Sequence, residues 1–290
     1  MDSHDFCPEY YRNHTTAETL EATKASISRI HSLDPDGKLV RPIVTPRFAP
    51  SCSHATAASL GKLAAAYNPP LHIQTHIAEN TAEVDLVRAT FPDASSYADV
   101  YDGFGLLTRR TILAHGIYLS PDERALIRAR GAKISHCPAS NSALGSGICP
   151  VRTLLDENIT VGLGTDVSGG YSASVLEAVR QACLVSRLRT GPDGKERTGR
   201  ETLSVEEGLY LGTRGGAEVV DMAADIGGFE PGMFFDAQMI RLGGKAGPVG
   251  QVDLFGWESW KEKVHKWVWS GDDRNVKDVW VMGQPVKRAL

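Results

Sequence analysis

Residues 71–80 read LHIQTHIAEN. A largely apolar, alternating run leads to His76, and Glu79 follows three residues later. Alternation of this kind is the two-residue period of a β-strand. The stretch reads either as an ordinary buried strand or as one wall of a metal site. In the second case the other walls must lie elsewhere in the chain.

The flanking sequence alternates helix-like and strand-like segments. TTAETLEATKASISRI, from Thr15, opens with a capping box of Thr15 and Glu18. KLVRPIVTPRF reads as a short buried strand, and HATAASLGKLAAAYN as an alanine-rich helix. After the central strand, Asn80 and Glu83 open a further helix. TILAHGIYL is a strand, and Ser120, Pro121 and Glu123 mark the next helix start. AKISHCPASN and ITVGLGTDVSGG are strands, and SASVLEAVRQACLVSRL is a long amphipathic helix. Apolar strands separated by helical crossovers indicate a parallel sheet with both faces covered. About five βα units are legible, where a closed (β/α)₈ barrel needs eight. The fold class is α/β: an incomplete TIM-like barrel over residues 1–225. Residues 226–290 read as a β-rich C-terminal segment with Gly turns, a small appended β domain.

Composition narrows the function classes. At 42% hydrophobic and 23% charged, the 290 residues can bury a sizeable core. The net charge of −4, without a basic stripe, argues against a nucleic-acid partner. The five cysteines form no C-x-x-C pair, so neither a disulfide framework nor a thiolate zinc cage is expected. No apolar run is long enough for a membrane span. A soluble, cytosolic protein acting on a small molecule is the expectation.

The ionisable residues gather at the carboxyl ends of these strands. They are Arg47 in TPRF, His76 and Glu79 in THIAEN, His115 in LAHG, His136 in SHCPASN and Asp166 in GTDVSGG. In a parallel α/β barrel that rim holds the active site. Imidazole and carboxylate donors at His76 and Asp166 suit zinc, and Glu79 is placed to move a proton. Arg47 offers a planar fork of donors to an acceptor-rich edge such as that of a purine. Each residue also has a plain structural reading. Glu79 fits an exposed helix-start loop, Arg47 a surface ion pair, and His72 and His136 core positions. Gly162 and Gly164 lack the third glycine of a dinucleotide fingerprint. The tryptophans, all between 257 and 280, read as packing of the C-terminal segment or as a subunit contact. His4, His14, His31, His54 and His265 read as surface or loop residues.

With these residues in view, the chain resembles the amidohydrolase superfamily, and within it the guanine deaminases. TPRFAPSCS, LHIQTHIAEN, LAHGIYLS, SHCPASNSALGSG, GLGTDVSGGYSASVLEAVRQA and WSGDDRNVKDVWVMGQPV carry the resemblance over nearly the whole chain. It implies that His76 and Asp166 bind one zinc ion per chain. It further implies that Glu79 is the proton shuttle and that His115 holds the attacking water or approaches the metal. Arg47 and the Phe48 backbone, with His115, would bind guanine, and Asp166 would take the proton of the water. The implied reaction is hydrolytic deamination of guanine to xanthine and ammonia, and a homodimer is a family expectation. The superfamily also supplies two ligands from an H-x-H motif on its first strand, and the nine histidines here contain none. The resemblance therefore implies a chain that begins near the third barrel strand, an N-terminally truncated form with a weakened zinc site. A related hydrolase of another amino-heterocycle, or a non-catalytic paralogue, are the competing readings.

Overall fold

The computed structural model describes residues 1–3, 5–189, 199–244, 247–248 and 250–287. His4 lies outside them. They divide into two compact units, Met1–Cys137 with Asn141–Val161, and Pro138–Ser140 with Gly162–Leu290.

The first unit contains α1 (Thr16–Leu33), β1 (Ile43–Val44), α2 (His54–Ala65), β2 (His72–Ile77), α3 (Thr81–Thr90), α4 (Tyr97–Gly103), β3 (Thr111–His115), α5 (Pro121–Arg130) and β4 (Lys133–His136). Next in the chain come α6 (Pro138–Ala143), which the unit division crosses after Ser140, α7 (Val151–Asp156), and β5 (Val161–Leu163), of which Val161 falls in the first unit and Gly162–Leu163 in the second. The sheet has five strands in the order β1-β2-β3-β4-β5. β1 pairs with β2, β2 with β3 and β3 with β4, all parallel. The α/β barrel-type expectation therefore stands, with the five strands legible in the sequence. The first of them is shorter than KLVRPIVTPRF suggests. Pro42 and Pro46 bracket Ile43–Val44, and a proline donates nothing to a ladder.

On β2 the buried residues are Ile73, Thr75 and Ile77, while Gln74 is exposed and His72 and His76 are half-buried. The covered face packs on helices: the Thr75 hydroxyl donates to the Tyr101 hydroxyl of α4 at 2.9 Å. The other face of β2 carries His72, Gln74 and His76 and is less buried, whereas β3, β4 and β5 have no exposed residue on either face.

Helix starts follow capping chemistry. Thr15, Ser53, Asn80, Ser96 and Ser120 each accept a backbone N–H with the side chain. α2 lies hard against the end of α4: a Cβ on Gly61 would fall 2.1 Å from the carbonyl oxygen of Phe104, the residue after α4. His54, read as a surface or loop residue, is the exposed first residue of α2 and stacks on Phe91 with ring centroids 4.8 Å apart.

The second unit contains α8 (Val175–Leu188), α9 (Val205–Gly212), α10 (Arg214–Val219), β6 (Ala237–Ile240), β7 (Gly243–Gly244), β8 (Gly247–Pro248), α11 (Trp260–Ser270), β9 (Val276–Val281) and β10 (Gln284–Lys287). An antiparallel sheet runs β10-β9-β6. Its core joins Val179, Val205 and Val268, with Trp267 and Trp269 packed against them. α9 approaches α8 closely, since a Cβ on Gly208 would fall 2.8 Å from the Cys183 sulfur. Arg180 ties α8 to α11, donating to the carbonyls of Val268 at 2.9 Å and Gly271 at 2.7 Å. Two of the tryptophans thus pack this unit, whereas Trp257 and Trp260 are exposed. Among the described residues no helix is long and apolar enough to cross a membrane.

Candidate active site

His76 is the last residue but one of β2 and His115 ends β3, with ring centroids 5.4 Å apart and planes inclined by 28°. Each ring is oriented through its Nδ1. The Nδ1–H of His76 donates to the Arg47 carbonyl at 2.5 Å, and the amide N–H of His76 donates to the same oxygen at 3.1 Å. The Nδ1–H of His115 donates to the Asn141 side-chain oxygen at 2.8 Å. A carbonyl oxygen only accepts, so both rings carry their proton on Nδ1 and turn Nε2 toward other partners. This is the arrangement that readies an imidazole for a metal.

Backbone conformation marks the same strand ends. Ala78 has φ of +48° and His115 of +72°, left-handed values that cost non-glycine residues energy. The loops after β2 and β3 are bound together, for the amides of Ile117 and Tyr118 both donate to the Ala78 carbonyl at 3.2 and 3.1 Å.

Glu79 sits in this pair of loops, half-buried. Its Oε1 accepts from the Ser146 hydroxyl at 2.8 Å, and its Oε2 lies 3.7 Å from His115 Nε2. Its amide donates to Glu83 Oε2 at 2.7 Å. The plain reading of Glu79 as an exposed loop residue therefore does not describe it. Ser146 is held in turn, as the Tyr118 hydroxyl donates to its carbonyl at 2.8 Å. Gly147 lets this happen: its φ is +135°, and a Cβ there would fall 2.6 Å from the Tyr118 hydroxyl.

Arg47 contributes its backbone to His76 and leaves its side chain exposed. Phe48 is half-buried, and its carbonyl accepts from the Ser51 hydroxyl at 2.7 Å. His136, at the end of β4, is fully buried. Burial, and then the neighbouring His115, push its pKa down to about 3, so it is neutral at ordinary pH.

Asp166 belongs to the second unit, three residues beyond β5, with φ of +47°. Its Oδ2 accepts from the Ser140 hydroxyl at 2.7 Å. The glycines of GTDVSGG serve this loop. A Cβ on Gly169 would fall 2.6 Å from that Oδ2, and one on Gly170 would fall 2.0 Å from the Thr165 carbonyl oxygen. They shape a tight turn around a carboxylate rather than a phosphate cradle.

His76 and His115 of the first unit offer two imidazole donors to a metal ion, and Asp166 of the second offers a carboxylate. Two imidazoles and a carboxylate suit zinc, and three protein donors with one open position is the usual plan of a catalytic zinc site. Arg47, Phe48, His76, Glu79 and His115 share one unit and its strand-end loops. Asn141, Ser146 and Glu83 hold these groups in place, and the sequence reading did not single them out. The signal available for the first two was their position in the run SHCPASNSALGSG, after a strand-end histidine.

A model of the amidohydrolase family matches residues 9–286. The chain belongs to the amidohydrolase family. It is 47% identical to a probable guanine deaminase of Schizosaccharomyces pombe, over 96% of this chain and 52% of that protein. It is 40% identical to the guanine deaminase of Homo sapiens, over 99% of this chain and 61% of that protein. Among solved structures, it resembles a guanine deaminase from C. acetobutylicum with bound guanine in the active site. That match has a TM-score of 0.84 and 33% identity, and covers 98% of this chain and 63% of the other. The chain thus spans between half and two thirds of the length of these relatives.

Proposed function

We propose that this chain carries the zinc-side part of a guanine deaminase, which hydrolyses guanine to xanthine and ammonia. Glu79 is the observation that supports the reading most directly. It is a half-buried carboxylate with one oxygen engaged by Ser146 and the other turned to His115. That is the arrangement a group needs to take a proton on one oxygen and return it from the same place.

His76, His115 and Asp166 would hold the zinc ion, which supplies Lewis-acid activation of water. The reaction joins a water oxygen to C2 of guanine and breaks the bond from C2 to the exocyclic nitrogen. Glu79 moves the protons of the exchange, to the ring nitrogen and then to the departing amine. Asp166, hydrogen-bonded by Ser140, accepts the proton of the attacking water. Arg47, with its exposed guanidinium, would bind the acceptor edge of the purine together with the Phe48 backbone and His115. The relatives named guanine deaminase support this substrate over other amino-heterocycles.

An assay of the zinc-loaded chain with guanine tests the reading. The expected products are xanthine and ammonia in equal amounts. Guanine left intact by a chain whose zinc is bound through His76, His115 and Asp166 contradicts it.

A further inference from the structure

We infer that the Tyr101 hydroxyl is a positioning group for His76, locking the metal-side strand end to the loop that carries Arg47 and Phe48. The inference rests on the zinc reading above and adds to it a residue outside the ligand and substrate sets.

Tyr101 lies on α4 and is 1% exposed. Its hydroxyl donates to the His76 carbonyl at 2.7 Å. It accepts from the Ala49 amide at 3.1 Å and from the Thr75 hydroxyl at 2.9 Å. A phenol has one proton and two lone pairs to offer. Here all three meet at the junction of two loops, one beginning at Ala49, beside Phe48, and one at His76.

The consequence for His76 follows from what holds its other side. Its amide and its ring Nδ1 both donate to the Arg47 carbonyl. The direction of its Nε2 is therefore set by where the Arg47 loop stands relative to β2, and Tyr101 fixes that separation. One helical turn earlier, the Tyr97 hydroxyl donates to Glu83 Oε1 at 2.8 Å, and Glu83 Oε2 takes the amide of Glu79. The two tyrosines stand four residues apart on one face of α4; the Tyr97 hydroxyl also lies 3.2 Å from the His76 carbonyl, so the pair serves His76 on β2 and, through Glu83, Glu79 in the loop after it. A phenylalanine would fill the same volume as Tyr101. What the hydroxyl adds is this junction.

The test compares the chain with its Tyr101→Phe variant in two measurements. The first is zinc affinity, by competition with a chromophoric chelator. The second, without metal, is the nuclear magnetic resonance of the His76 ring together with amide exchange at Ala49. The expected result is a loss of zinc affinity of about 10-fold or more, the cost usual for removing a group that orients a ligand. Faster exchange at Ala49 and altered His76 ring signals accompany it, with an unchanged far-ultraviolet circular dichroism spectrum. Unchanged zinc affinity in the variant overturns the inference. If the parent chain binds no zinc, the zinc reading fails, and unchanged His76 ring signals in the variant then overturn the positioning role on their own. If the variant does not fold, the parent chain decides: zinc addition should shift the Tyr101 ring and Ala49 amide signals, and their constancy overturns the inference.

Discussion

Glu79 has two oxygens in different surroundings, and that difference gives it a direction. Ser146 donates to one, while the other faces His115 Nε2. Replacing Glu79 with glutamine keeps the size and removes the proton carrier. Guanine turnover is expected to fall by about 10²–10⁴-fold, the range for loss of a general acid–base group. Zinc content, measured on the same preparations, should stay near that of the parent chain; zinc lost in proportion to activity would assign Glu79 to the metal instead. At this scale the candidate site was largely legible. His76, Glu79, His115 and Asp166 are polar residues at the ends of apolar strands, and that contrast is visible in one dimension. Asn141, Ser146 and Tyr101 were not legible as site residues, because each acts through a contact made 25 or more residues away in sequence. No local period records such a contact.

At the scale of elements, the loop from Asn141 to Gly147 carries the partners of both His115 and Glu79. Gly147→Ala would push into the Tyr118 hydroxyl that holds the Ser146 carbonyl. Forcing a side chain into that backbone conformation costs about 1–3 kcal/mol. Chemical denaturation should register the loss, and turnover should drop with zinc binding retained. An alanine variant as stable and active as the parent would show that the loop does not hold Glu79. A second element-level device lies before α11. Glu258 is buried and takes hydrogen bonds from Lys266 at 2.6 Å and from the amides of Phe255 and Gly256 at 2.8 and 3.0 Å. These contacts, Lys266 first, lower its pKa from 4.5 to about 2. A carboxyl depressed on folding adds stability above its unfolded pKa and loses it as pH falls through the folded one. The stability gap between the parent and Glu258→Gln should therefore be full above about pH 4.5 and close toward pH 2. A gap constant across that window, in denaturation curves at several pH values, would contradict this. Most helices and strands were readable from caps and periods. α4, α6, α9 and α10 were missed: these four span only six to eight residues each, and α6 begins at Pro138 inside a run that reads as strand.

For the whole molecule, the sequence led to a five-stranded parallel sheet and a β-rich C-terminal segment, and both are present. What periodicity did not reveal is that β2 is less buried on the face that carries His76, because alternation looks the same on a strand covered once or twice. The central claim of the proposed function is that His76, His115 and Asp166 serve one ion. Zinc titration by calorimetry on the parent chain and on His76→Ala, His115→Ala and Asp166→Ala tests it most directly. The expected result is one zinc per parent chain and a marked loss of affinity in all three variants. Zinc binding by Asp166→Ala with the affinity of the parent chain would contradict it.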